Sequence, residues 1–192
     1  TGYLFTYFAG EHLANGEQIY FALSQGNDPL NYQAPMNGGN PVLVSKLGEK
    51  GLRDPFIIRS PEGDKFYLIA TDLRIYAGNG WDAAQRHGSR CIAVWESNDL
   101  VNWSERRWVE VSPELAGNTW APEIFYDHTT GEYIVFWASK IYPDANKTGS
   151  PHNRMMYAKT RDFYTFTPAE EYYNPGYSVI DTTMIEHDGK IY

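Results

Sequence analysis

Apolar-rich runs short enough to be strands, separated by polar stretches, come in pairs along this chain around tight turns. One kind of pair reads DPFIIRSPEGDKFYLIATDL from Asp54 to Leu73 and APEIFYDHTTGEYIVFWASK from Ala121 to Lys140. It starts again as DTTMIEHDGKIY at Asp181. The turns fall at Pro61 to Asp64, at Thr129 to Glu132 and at Asp188–Gly189, and they carry the Gly and Asp that hairpins use. A second kind is a strand, a polar turn and another strand: Ile19 to Tyr32, Ile92 to Trp103 and Met156 to Phe166. Ser24, Ser97 and Thr160 correspond across these copies, as do Tyr32, Trp103 and Phe166.

The repeat unit is therefore four short antiparallel strands; Pro55 to Pro122 is 67 positions and Trp103 to Phe166 is 63. Four strands per repeat predicts an all-β protein built of β-propeller blades. A β-sandwich also has many short strands, but a repeat of this kind favours the propeller. No long 3.6-residue stripe with caps predicts a helix. Tyr3 to Tyr32 is expected to supply strands two to four of one blade, Asp54 to about Trp108 a full blade, Ala121 to about Tyr172 another, and Asp181 to Tyr192 the start of a fourth. That is about three blades' worth, and a ring needs at least four blades. Residues 1–192 are accordingly expected to be a partial propeller domain, unfinished at the C-terminal end, with the same question standing at the N-terminal end. Its open blade edges would invite self-association or completion by another chain.

Blade geometry places the start of each first strand on the same face as the loop between strands two and three. The starts are Asp54, Ala121 and Asp181; the loops are Arg74 to Arg90 and Ile141 to Arg154, both long and rich in Gly, Asn, Asp and Pro. Long loops gathered on one face predict a functional rim, although surface insertions look the same in a sequence.

Composition narrows the partners. The 192 residues carry 16 Lys and Arg against 24 Asp and Glu, a net charge of −8, which argues against nucleic acid and anionic membrane. The basic doublet Arg106–Arg107 reads as a solvated strand edge. One cysteine, Cys91, excludes an intrachain disulfide and a Cys-based zinc site. No apolar run approaches the length of a membrane-spanning helix, and no leader peptide is legible. Aromatic residues make up 16% of the chain, which suits β-sheet cores and also sugar stacking.

First strands line the centre of a propeller, so Asp54 and Asp181, two blades apart, can point into one pocket. Two carboxylates on one pocket are the arrangement that hydrolyses glycosidic bonds: one deprotonates a water, another protonates the leaving oxygen. An Asp before Pro or Thr also serves simply to cap a turn, and spacing alone leaves both readings open. Arg53 beside Asp54 would lower its proton affinity if the two side chains face each other. Asp72, at the end of strand two, is expected on the same rim, where a turn cap is the alternative. Trp81, His87 and Arg90 in the first long loop are candidates for sugar binding. His12, His87, His128, His152 and His187 show no metal-ligand spacing, so no metal is assigned. Asn102-Trp103-Ser104 and Asn146-Lys147-Thr148 fit the glycosylation triplet, which arises easily by chance.

Several motifs occur in one order: Leu52-Arg53-Asp54-Pro55-Phe56-Ile57, Phe66-Tyr67-Leu68, Ser97-Asn98-Asp99-Leu100-Val101-Asn102-Trp103, Trp120-Ala121-Pro122 and Ile180-Asp181. In this order and spacing the chain resembles glycoside hydrolase family 43, over nearly its whole length. The resemblance implies a five-bladed β-propeller and hydrolysis with inversion by three carboxylates. It makes Asp54 the general base and Asp181 the residue that tunes and orients the acid. Trp120 matches a tryptophan that contacts sugar. The family usually has Pro after Ile-Asp, where this chain has Thr182. The family's general acid is a Glu at the start of the following blade, which residues 1–192 do not contain; Glu123 belongs to a different blade and is expected to line the pocket or bond the backbone. The resemblance implies no required cofactor. A structural calcium occurs in some members, and no ligand for one is assignable here.

The implied substrate is an oligosaccharide or polysaccharide of the plant cell wall, cut at α-L-arabinofuranosidic or β-D-xylosidic bonds by an extracellular enzyme. Without its acid, the 192-residue piece alone is expected to be nearly inactive, because each acid–base contribution is worth about 10²–10⁴-fold. Two other readings stand beside it. A retaining enzyme of the related invertase-like clan would need an Asp nucleophile in an earlier Trp-Met-Asn-Asp-Pro-Asn-type motif, and none precedes Arg53. A non-catalytic carbohydrate-binding propeller would lack a channel-facing Glu in the next blade.

Overall fold

The computed structural model describes residues 2–32 and 36–192. Two four-stranded antiparallel meanders dominate it. The first runs β3 (Leu52–Arg59), β4 (Phe66–Asp72), β5 (Cys91–Ser97), β6 (Arg107–Glu110), after a two-stranded unit of β1 (Leu4–Tyr7) and β2 (Tyr20–Leu23). The second runs β7 (Trp120–Asp127), β8 (Glu132–Lys140), β9 (Asn153–Thr160), β10 (Glu170–Tyr173), followed by the hairpin β11 (Glu186–His187), β12 (Lys190–Ile191). Both meanders match the four-strand repeats read from the sequence. The first unit is simpler than expected: β1 and β2 pair, and a single bridge from Ser24 to Tyr32 stands where a further strand was predicted. Residues Asp181 to Ile185 lie outside any strand. The loop after β4 holds a short helix, α1 (Gly80–Arg86), that no periodic stripe announced.

The meanders stack face to face, with β7 packed on β3 and β4, and β1 on β3. Alternation explains how. On β4 and β5, Tyr67, Ile69, Ile92 and Val94 face one way and join Ile124, Tyr133, Val135, Trp137 and Phe163 of the second meander. Leu68, Ala70, Ala93 and Trp95 face the other way, onto Ile19, Phe21 and Leu43. The first meander is thus buried on both faces, which is why β4 reads as an almost unbroken apolar run. The second meander repeats the scheme, with Phe136, Ala138 and Met155 packed on Val179 and Met184.

The repeated polar turns are alike in their hydrogen bonds. The Ser97 hydroxyl accepts the Leu100 N–H at 2.9 Å, and the Thr160 hydroxyl accepts the Phe163 N–H at 2.9 Å. Asp99 Oδ1 then accepts from Val101 and Asn102, and Asp162 Oδ1 from Tyr164 and Thr165. Leu100 (φ 64°) and Phe163 (φ 58°) both take the left-handed conformation at the same step. This turn swings Phe163 back into the inter-meander core, where its ring lies 4.3 Å from Tyr67 and 4.8 Å from Tyr133, fully buried. Phe163→Ala is expected to cost about 3–5 kcal/mol of stability, measured by urea unfolding, because it empties the seam between the two meanders.

Candidate active site

Both first strands carry the same irregularity. In β3 the register passes from Arg53↔Thr71 to Phe56↔Ile69, and in β7 from Trp120↔Ala138 to Glu123↔Phe136. Each strand therefore contains one extra residue, a β-bulge that re-aims a side chain. The bulges are Asp54-Pro55 and Ala121-Pro122; proline has no N–H to lose from the ladder. Asp54 (φ 49°), Ala121 (φ 47°) and Asp181 (φ 57°) share the left-handed conformation. For residues with a side chain this conformation is costly, on the order of 1 kcal/mol or more each. The same strained step, in β3, in β7 and at Asp181 ahead of β11, aims what these positions carry at one place.

That place is a cleft of about 230 Å³ lined by Asp54, Pro55, Phe56, Ala121, Pro122, Glu123 and Asp181. The structure brings Asp54 and Asp181 together there, and adds Glu123. Asp54 is half-buried and Asp181 exposed. The Thr71 hydroxyl, fully buried on β4, donates to Asp54 Oδ2 at 2.9 Å and accepts the Ala121 N–H at 2.9 Å. Burial raises the proton affinity of Asp54; the Thr71 bond, the Arg53 charge and the Ala121 N–H oppose this, and the Asp181 charge adds to it. The net direction is up. Arg53 does act on Asp54 as anticipated, but burial outweighs it. Glu123 is likewise raised by burial, with the Thr183 hydroxyl opposing and Asp181 adding, and its buried Oε2 has no hydrogen-bond partner.

Arg53 itself reaches aromatic rings that lie outside the lining of this cleft. Its guanidinium lies 4.7 Å from the centre of the Phe8 ring and 5.0 Å from that of Trp81, and pairs with Glu11 and Glu17 at 3.3 Å each. Trp81 in turn meets Trp120 edge-to-face at 5.9 Å. Trp81 and Trp120 thus form one aromatic wall joined through Arg53 to the strand that carries Asp54. Glu17 is the anchor: fully buried, it also accepts the Ile75 and Tyr76 N–H groups and so fixes the root of the loop that holds α1. Sequence reasoning passed over Glu17, although a lone glutamate leading into the apolar run Ile19 to Leu23 was a signal available in it.

Three of the predicted rim and sugar-binding residues, Asp72, Arg90 and His87, fall elsewhere. Asp72 is buried, accepts the Glu49 N–H at 3.1 Å and faces Arg106 at 3.9 Å. It pins a loop beside the strand, because its side chain points away from the bulge side of β4. Arg90 pairs with Glu110 at 3.0 Å and lines a separate cleft of about 420 Å³ with Cys91, Trp108 and Lys147. His87 borders another, of about 290 Å³, with Arg74, Tyr76 and α1. Neither cleft contains Asp54 or Asp181, so size does not identify the site; converging carboxylates do. Among the described residues no group of three or more His, Cys, Asp or Glu is arranged to hold a metal.

Burial fixes the sign of the Asp54 contribution to stability. Its folded-state proton affinity is raised, so ionisation opposes folding: the cost is full above the folded-state pKa and vanishes below the unfolded value. Asp54→Asn is therefore expected to raise Tm by a few degrees at pH 7, and this gain should shrink as pH falls through the acid range, measured by thermal melts from pH 7 to 3.

Known proteins share this architecture. A family model described as a probable glycosyl hydrolase domain, related to glycoside hydrolase family 43, matches residues 1–192. An α-L-arabinofuranosidase of Bifidobacterium longum subsp. longum is 36% identical over 206 residues, covering 100% of this chain and 19% of its own length. An extracellular exo-α-(1→5)-L-arabinofuranosidase of Cellvibrio japonicus is 28% identical over 121 residues, covering 58% of this chain and 29% of its own. The solved structure of an α-L-arabinofuranosidase from Clostridium thermocellum superposes with a TM-score of 0.60 at 16% identity, over 99% of this chain and 55% of that one. The chain spans less than a third of the length of these curated relatives. On the match over its full length, it belongs to the glycosyl hydrolase domains related to glycoside hydrolase family 43.

Proposed function

We propose that this domain is part of a secreted, inverting glycoside hydrolase that releases α-L-arabinofuranosyl groups from plant cell-wall glycans such as arabinan. The observation that carries the reading is the convergence of Asp54 and Asp181, both in the left-handed conformation, into one cleft. The arabinofuranosidase relatives favour arabinose over xylose as the sugar, and the extracellular relative supports secretion. The two meanders are blades of a five-bladed propeller in the complete protein.

In this reading Asp54, ionised, takes a proton from a water on one side of the anomeric carbon. The acid that protonates the leaving oxygen is a glutamate outside residues 1–192. Asp181 orients that acid and sets its proton affinity. Trp81 and Trp120 present the aromatic wall to the sugar ring, and the Arg53 guanidinium holds Trp81 in place. Attack by water from the face opposite the leaving group inverts the anomeric carbon.

Asp54→Asn in the full-length protein is expected to lower kcat on aryl arabinofuranosides by about 10²–10⁴-fold with the wild-type fold kept; wild-type turnover would remove Asp54 as the base. Because the Asp54 carboxyl binds its proton more tightly than an ordinary aspartate, the acid limb of the kcat/KM profile should lie above the usual Asp range of about 3.9. Product NMR taken during turnover should show the inverted anomer first; a retained anomer would overturn the mechanism. Trp81→Ala should raise KM more than it lowers kcat.

A further inference from the structure

The bulge at Ala121-Pro122 leaves the Ala121 N–H without a ladder partner, at a buried position. Such a group needs an acceptor. It finds the Thr71 hydroxyl, on the neighbouring meander, at 2.9 Å. A hydroxyl has one hydrogen and two lone pairs. With one lone pair taken by Ala121, the hydrogen is free to point only where an acceptor waits, and Asp54 Oδ2 lies at 2.9 Å. Thr71 is fully buried, so no water competes for either bond.

The second meander supplies an internal comparison. Thr71 pairs with Arg53 just before the first bulge, and Ala138 pairs with Trp120 just before the second. Where the first meander has Asp54 and Thr71, the second has Ala121 and Ala138. The hydroxyl is present beside the carboxylate and absent where the carboxylate is absent, although both positions are buried and both strands are bulged alike.

We propose that Thr71 is the positioning residue of Asp54, a hydroxyl polarised by the Ala121 N–H of the adjacent meander and committed as donor to the Asp54 carboxylate. It does not touch substrate. It fixes one carboxylate oxygen on the protein side and leaves the other for water, and it ties the base to the β7 bulge that also borders the cleft. A donor committed to the ionised form offsets part of the burial that raises the proton affinity of Asp54, so it keeps more of the base ionised at moderately acidic pH. The inference rests on Asp54 being the base, but the bond itself can be read without that reading.

The test uses the full-length protein with ¹³C-carboxyl-labelled aspartate, the Asp54 signal being assigned by its loss in Asp54→Asn. Wild type, Thr71→Val and Thr71→Ser are titrated, and the kcat/KM profile on an aryl arabinofuranoside is taken for each. Hydrogen bonds to charged groups are worth about 1.5–3 kcal/mol, so Thr71→Val should raise the Asp54 midpoint by about one to two pH units and move the acid limb of activity with it. Thr71→Ser, which keeps the hydroxyl, should bring both back towards wild type. If Thr71→Val does not fold, Thr71→Ala serves, since it deletes the hydroxyl without placing a methyl against the carboxylate. An unmoved Asp54 midpoint in a folded hydroxyl-less variant overturns the proposal. A midpoint that moves while the activity limb stays fixed upholds the Thr71–Asp54 bond and removes Asp54 as the base.

Discussion

A sheet that is apolar on both faces cannot slip. On β4, Tyr67 and Ile69 face one core while Leu68 and Ala70 face the other, so a shift of one residue would exchange the two sets. Everything at the cleft depends on this fixed register. It sets Thr71 opposite Arg53 and Ile69 opposite Phe56, and the strand between them has one residue too many. The surplus is absorbed as a bulge at Asp54-Pro55, which turns the carboxylate towards the cleft. The second meander does the same with Trp120, Ala138, Glu123 and Phe136 around Ala121-Pro122.

Gathering acidic groups in a small cleft runs against electrostatics. Asp54 and Glu123 both bind protons more tightly than free carboxyls because they are buried, and the Asp181 charge adds to the effect on each. The protein meets this unevenly. Asp54 receives the Thr71 hydroxyl and a neighbouring N–H, while Glu123 keeps an unpartnered oxygen in the cleft. The two carboxyls are thus surrounded differently, although burial raises the proton affinity of each. Around them, the buried Glu17 joins Arg53 to the loop of α1. The aromatic wall of Trp81 and Trp120 is therefore held by an ion pair that no substrate contact reveals.

The sequence by itself determined the strands, their grouping in fours and the positions of the turns. Short apolar runs in Phe66 to Asp72 and Glu132 to Lys140, with Gly and Asp turns between runs, are local information that the chain states directly. The matching Ser97 and Thr160 turns were legible for the same reason, because a side chain bonding N–H groups two and three residues on needs no distant partner. Asp54 and Asp181 could be singled out because each stands at the same step of a repeat.

The tertiary structure decided the rest, since which side chains meet across distant strands is set by register and packing. The sequence placed Asp72 and Arg90 on the sugar rim; packing turned the first onto Glu49 and Arg106, and the second onto Glu110. It gave no sign that Thr71 would lie between Asp54 and Ala121, which stand 67 positions apart along the chain. Nor could it weigh Arg53 against burial in setting the Asp54 proton affinity, because desolvation depends on every neighbour at once and the charge of Arg53 is shared with Glu11 and Glu17.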